Sequence, residues 1–83
     1  MYSIEYEKPA IQALERIDHK QRTRIMKAIE RLALNPLSAS NVKHMSDDLY
    51  RLRIGDYRAI YKIYENQILI VVLTVGHRKD IYR

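Results

Sequence analysis

The spacing of hydrophobic positions changes period along these 83 residues, and each change predicts an element. Tyr2 to Tyr6 alternates and is rich in strand formers, which predicts a short first strand. Pro9 then stands where a first helical turn tolerates it, and Ala10, Leu14 and Ile17 recur at the i, i+4, i+7 spacing of a helical stripe. Asp18 opens a second helix, because Gln21 three residues on completes a capping box. Ile25, Ile29 and Leu32 form its stripe, while Arg22, Arg24, Lys27, Glu30 and Arg31 around them read as a solvated face. Asn35-Pro36 stops that helix, and two helices with almost no linker form an antiparallel hairpin. Residues 37–47 lack a period and contain three serines, which predicts a loop.

Beyond the loop the period becomes two. Leu49–Ile54 and Tyr57–Tyr64 read as strands joined by Gly55-Asp56, a two-residue turn with glycine first, as a type II′ hairpin prefers. A turn that tight sets Ile54 against Tyr57 and Arg53 against Arg58. After Glu65-Asn66 comes Ile68–Val75, apolar at nearly every position, which predicts cover on both faces. Gly76 is expected to end this strand, so that the tail "HRKDIYR" turns back across the sheet. The order is β-α-α-β-β-β in one domain, residues 1–83. That is an α+β layout: an N-terminal strand, a helical hairpin, and an antiparallel three-strand meander in one sheet.

Alternation sorts the hairpin into two faces. Tyr50, Leu52, Ile54, Tyr57, Ala59, Tyr61 and Ile63 point to the core; Leu49, Arg51, Arg53, Arg58, Ile60 and Lys62 point away. Three arginines and a lysine on the open face oppose one another, although like charges across a sheet are destabilising. Residues 49–64 hold one acid, Asp56, and it sits in the turn. Neutralisation by Asp47, Asp48 or helical glutamates is geometrically awkward, so an external anion is the favoured reading. Guanidinium forks suit phosphate.

Charge and composition sharpen this picture. Net charge is +5, and residues 49–83 carry seven Lys/Arg against three Asp/Glu, so most of the excess lies beside the arginine hairpin. A basic half in a small domain points to an anionic partner, nucleic acid first. The absence of cysteine excludes disulfides and Cys-based zinc sites. His19, His44 and His77 lack ligand spacing, and no Gly-rich phosphate loop or nucleophile elbow occurs, so neither metal nor cofactor is expected. The N-terminal residues are too polar for a secretory signal, and no apolar run approaches ~18 residues, so a soluble cytoplasmic protein without membrane association is expected. In the tail, His77, Arg78 and Tyr82 bring an imidazole, a guanidinium and a phenol toward the arginine face. Such groups transfer protons, neutralise charge and stack on a base.

The chain "LYRLRIGDYR", with the form L-x-R-x-R-x-G-x-Y-R, and the terminal G-H-R-x-x-x-Y resemble the RelE/ParE superfamily of toxins from type II toxin–antitoxin systems, its RelE-like branch in particular. The resemblance covers nearly the whole chain and implies a RelE-like fold and a ribosome-dependent mRNA endonuclease that cleaves messenger RNA in the ribosomal A site without metal. It implies silencing by a cognate antitoxin, in a complex that is a heterotetramer or larger. Matching positions give the basic residues Arg51, Arg53, Arg58 and Arg78 and the base-contacting Tyr82. Beside them His77, an imidazole and so the side-chain type that titrates nearest neutrality, joins Arg53, Arg58, Arg78 and Tyr82 in the expected catalytic set as reserve acid–base group. Arg51, Lys62 and Lys79 are expected on the RNA. Some members carry lysine where this chain has Arg51 and Arg53, and the spacing from Arg78 to Tyr82 varies; arginine stays charged, which leaves the general base open. Two alternatives stand beside this reading: a ParE-type toxin that inhibits DNA gyrase by binding it, and an inert homologue that only binds antitoxin.

Overall fold

The structure, a computed structural model, describes residues 1–36 and 41–81. Strand β1 (Ser3–Tyr6) leads into α1 (Lys8–Arg16), and α2 (His19–Leu32) follows almost at once. Pro9 sits in the first turn of α1. The Asp18 carboxylate caps α2 by accepting from the Gln21 N–H at 3.3 Å, which satisfies one of the orphan donors of a helix start. Four strands complete the sheet: β2 (Val42–Ser46), β3 (Leu49–Ile54), β4 (Tyr57–Tyr64) and β5 (Leu69–His77), followed by a short helix α3 (Arg78–Ile81). The strand order is β1-β5-β4-β3-β2, with β1 parallel to β5 and the other neighbours antiparallel. Among the described residues no helix is long and apolar enough to cross a membrane.

The helical hairpin covers one face of the sheet. Ala10 and Leu14 of α1 and Ile25, Ala28, Ile29 and Leu32 of α2 pack in one cluster with Leu52, Ile54, Ala59, Tyr61, Ile63, Ile70, Val72 and Val75. The α+β fold is as the sequence predicts, and so is the alternation of β3 and β4 except at Arg58, expected on the open face but buried, its guanidinium drawn in by the carbonyls of Gly55 and Tyr57. Three further details differ, each for a physical reason. The stretch 37–47, expected to be loop, contains β2, which pairs with β3 from Val42 opposite Leu52 to Ser46 opposite Leu49. From Lys43 to Ser46 this edge strand is exposed, so no core imposed an apolar period on it, and Met45 bulges out of the ladder. Residues 37–40 of that stretch lie outside the described residues.

Strand β5 is covered on one face, not two. Ile70, Val72 and Val75 are buried while Leu69, Val71 and Leu73 are half-exposed. Opposite Ile60 and Tyr61 the register slips, leaving Leu73 unpaired between Val72 and Thr74. That bulge reverses the strand's parity, so Val72 and Val75 share a face although three residues apart, and the apolar run needs no second layer. Gly76 does not end the strand either: it pairs with Arg58, and β5 continues to His77.

Candidate functional site

Arg53 and Arg58 face each other across the β3–β4 hairpin, next to its turn. Gly55 has φ +59, and Asp56 is not among the positive-φ residues, the pattern of a type II′ turn. Arg58 is only 9% exposed. Its guanidinium Nη1 donates to the carbonyls of Gly55 and Tyr57 at 2.9 Å each, so the turn's own carbonyls solvate the buried cation. Arg53 is exposed, and its backbone is clamped to Asn41: its N–H donates to the Asn41 carbonyl at 3.0 Å and its carbonyl accepts from the Asn41 amide at 2.6 Å. Arg78 begins α3 beside the same turn. Its N–H donates to the Asp56 carbonyl at 2.7 Å, and its Nε lies 3.8 Å from the Asp56 carboxylate. Both of those side chains are more than half exposed, so the pair orients Arg78 more than it neutralises it.

Helix α2 closes the other side. Its Arg24 guanidinium lies over the turn so closely that a Cβ on Gly55 would meet Arg24 Nη1 at 2.9 Å. The resulting cavity has a volume of about 570 Å³ and collects Arg24 and Arg31 from α2 with Arg53, Arg58 and Arg78. Ala28, Ile54 and Asn41 also line it. Among the described residues, Arg24, Arg31 and Arg53 have no carboxylate within ion-pair distance. Five guanidinium groups line one space in which, among the described residues, the exposed Asp56 is the single acid, and that arrangement suits an anion.

The structure brings together only part of the set expected from sequence. Arg53, Arg58 and Arg78 share the cavity. His77 points to the side of Tyr57, edge to face with it at 5.7 Å, and lines an adjoining cavity of about 280 Å³ with Asp18, Gln21, Arg24, Asp56 and Tyr57. Arg24 and Asp56 form the partition between the two spaces. The Lys79 N–H donates to His77 Nδ1 at 3.3 Å, which leaves Nε2 as the protonated nitrogen of the neutral ring. Lys79 is exposed on α3; Arg51 and Lys62 are half-exposed on the open face of the sheet and do not line the arginine cavity. Tyr82 lies outside the described residues. Arg24, Arg31 and Asn41 join the site without having been expected there. The first two belong to the charges read as a solvated face of α2, and their i, i+7 spacing was the available signal.

Comparison with known proteins gives concordant matches. The family described as the ParE toxin of the type II toxin–antitoxin system parDE matches residues 4–82. Toxin RelG of Mycobacterium tuberculosis is 35% identical over 71 residues, spanning 78% of this chain and 82% of that protein. Putative toxin RelE1 of Methanocaldococcus jannaschii is 24% identical over 99% of this chain and 96% of its own length. Among solved structures, an archaeal RelE–RelB complex from Pyrococcus horikoshii OT3 superimposes with a TM-score of 0.86 at 26% identity, over 95% of this chain and 97% of that one.

Proposed function

The chain belongs to the RelE/ParE superfamily of toxins of type II toxin–antitoxin systems, and on that premise we propose that it is a ribosome-dependent mRNA endonuclease held in check by a cognate antitoxin. The observation that carries the reading is the arginine cavity beside the β3–β4 turn. The substrate's 2′-hydroxyl attacks the adjacent phosphorus, and the bond from phosphorus to the 5′-oxygen breaks. The attacking hydroxyl's proton goes to a base and the departing 5′-oxygen takes one up, leaving a 2′,3′-cyclic phosphate and a 5′-hydroxyl end. No metal is required in this scheme. Arg53, Arg58 and Arg78 stabilise the extra negative charge on the pentacovalent phosphorus, the largest contribution to catalysis in a preorganised site. Arg58 is pre-set for this by the turn carbonyls that hold it, and Arg78 by Asp56. Tyr82 orients a base, His77 is the reserve proton-transfer group from the adjoining cavity behind the Arg24–Asp56 partition, and Arg51, Lys62 and Lys79 contact the RNA backbone. The protein acts in the cytoplasm, and its antitoxin complex is a heterotetramer or larger.

Arg53→Ala is the clean test, because Arg53 is exposed and its backbone bonds to Asn41 survive truncation. Arg58→Ala also removes the bonds that hold the turn, so it perturbs the hairpin as well as the chemistry. Loss of one such donor lowers the cleavage rate by about 10²–10³-fold. The measurement is the mapping of mRNA 5′ ends in a translating-ribosome reaction, and an Arg53→Ala protein that cleaves at the wild-type rate ends the proposal.

The matching family is described as ParE toxins, and a second reading follows that branch: inhibition of DNA gyrase by a contact in which the arginines dock on protein. A supercoiling assay run beside the cleavage assay separates the two.

A further inference from the structure

Helix α2 carries Lys20, Arg24, Lys27 and Arg31 at i, i+4, i+7 and i+11, which places all four on one side of the helix. All four side chains are exposed, on a side of the helix turned away from the buried stripe of Ile25, Ile29 and Leu32. Two of the four, Arg24 and Arg31, line the arginine cavity, with buried Ala28 between them. They are two helical turns apart, ~10 Å along the axis. Attachment points that far apart let the two side chains reach different phosphates along a strand. Gly55 is what lets Arg24 come down onto the hairpin, since any Cβ there collides with its guanidinium. Neither arginine has a carboxylate within ion-pair distance among the described residues.

We infer that α2 is the second wall of the substrate site: Arg24 and Arg31 grip phosphates flanking the scissile one, in an RNA strand that lies between the helix and the β3–β4 hairpin. Lys20 and Lys27 continue the same row beyond the cavity. This rests on the ribonuclease reading and extends it to a face of the molecule that the expected catalytic set does not use.

The experiment measures binding of a short, labelled single-stranded RNA that is fully 2′-O-methylated, so that no attacking hydroxyl remains, across a range of salt concentrations. For a single strand, each phosphate that the protein no longer neutralises reduces the slope of log affinity against log salt by about 0.7. Arg24→Ala and Arg31→Ala are each expected to show that reduction. Arg24→Lys, which keeps the charge, retains the wild-type slope, and Arg16→Ala on α1 serves as a charge-matched control without effect. Arg31 is exposed and its truncation leaves the core untouched, so the test stands even where Arg24→Ala disturbs the turn. Equal slopes for wild type and both alanine variants, with the wild type still cleaving mRNA on ribosomes, overturn the inference and leave the ribonuclease reading standing. A wild type that neither binds the probe nor cleaves mRNA overturns both.

Discussion

Tyr61 is fully buried, and its hydroxyl has no hydrogen-bond partner among the described residues. In a chain without Phe or Trp, tyrosine supplies the aromatic volume of the core and its hydroxyl comes with it. The ring is the inner end of a stack across three strands, with His44 on Tyr50 at 4.7 Å and Tyr50 on Tyr61 at 5.8 Å. Burial first, and the neighbouring Tyr50 second, push the Tyr61 pKa well above the usual tyrosine value. Folding therefore favours the protonated form. Stability is complete below the unfolded value of ~10 and declines as pH rises past it, toward the raised folded value. Tyr6, raised by burial and by the Glu30 carboxylate, adds in the same direction. Tyr61→Phe keeps the stack and removes the stranded hydroxyl, so it is expected to stabilise the fold by about 1 kcal/mol and to soften the alkaline decline. Urea midpoints on either side of pH ~10 check both effects; a lower midpoint for the variant at neutral pH would contradict the account.

At the scale of elements, the β3–β4 turn holds the site together. Gly55 meets two demands at once: a φ of +59, and room for Arg24. Its carbonyl also accepts from Arg58, and its neighbour Asp56 holds Arg78, so one two-residue turn positions three of the five guanidiniums. Gly55→Ala is expected to cost about 1–2 kcal/mol in backbone strain and to displace Arg24. Thermal melting reads the first consequence and the RNA-binding salt slope the second; an unchanged melting temperature argues against the strained geometry. The turn is legible in sequence because Gly-Asp between two alternating runs is a local signal. Strand β2 is not, because an exposed edge strand is held by its neighbour's backbone and leaves no mark on side-chain periodicity. The β5 bulge escapes for a related reason: a continuous apolar run has no phase, so nothing in it reports that Leu73 drops out of the ladder.

For the whole molecule, one covered sheet face carries the stability. Ile29 is fully buried where α2 meets the sheet. Ile29→Ala removes ~2–5 kcal/mol from a small domain whose total is on the order of 5–15 kcal/mol. The expected fall in melting temperature is at least ~10 °C, and a fall of a degree or two would place the core elsewhere. The uncovered face and the turn end of the sheet carry the charge. Separating the two faces lets a chain of 83 residues concentrate cations at one end without burying most of them.

The amino-acid order alone determined the α+β layout, the helical hairpin with its Asp18 cap, the register that sets Arg53 against Arg58, and the basic bias of the C-terminal half. All of these follow from local periodicity, capping and turn chemistry, which act over a few residues. Tertiary structure decided which charges meet. Arg24 and Arg31 reach the cavity because α2 packs across β3, a contact between residues far apart in the chain, and His77 is turned to the other side of the Arg24–Asp56 partition because β5 runs one residue past Gly76. Side-chain alternation assigns a face within one strand; where two elements converge depends on how their apolar surfaces pack, and that is not a local property.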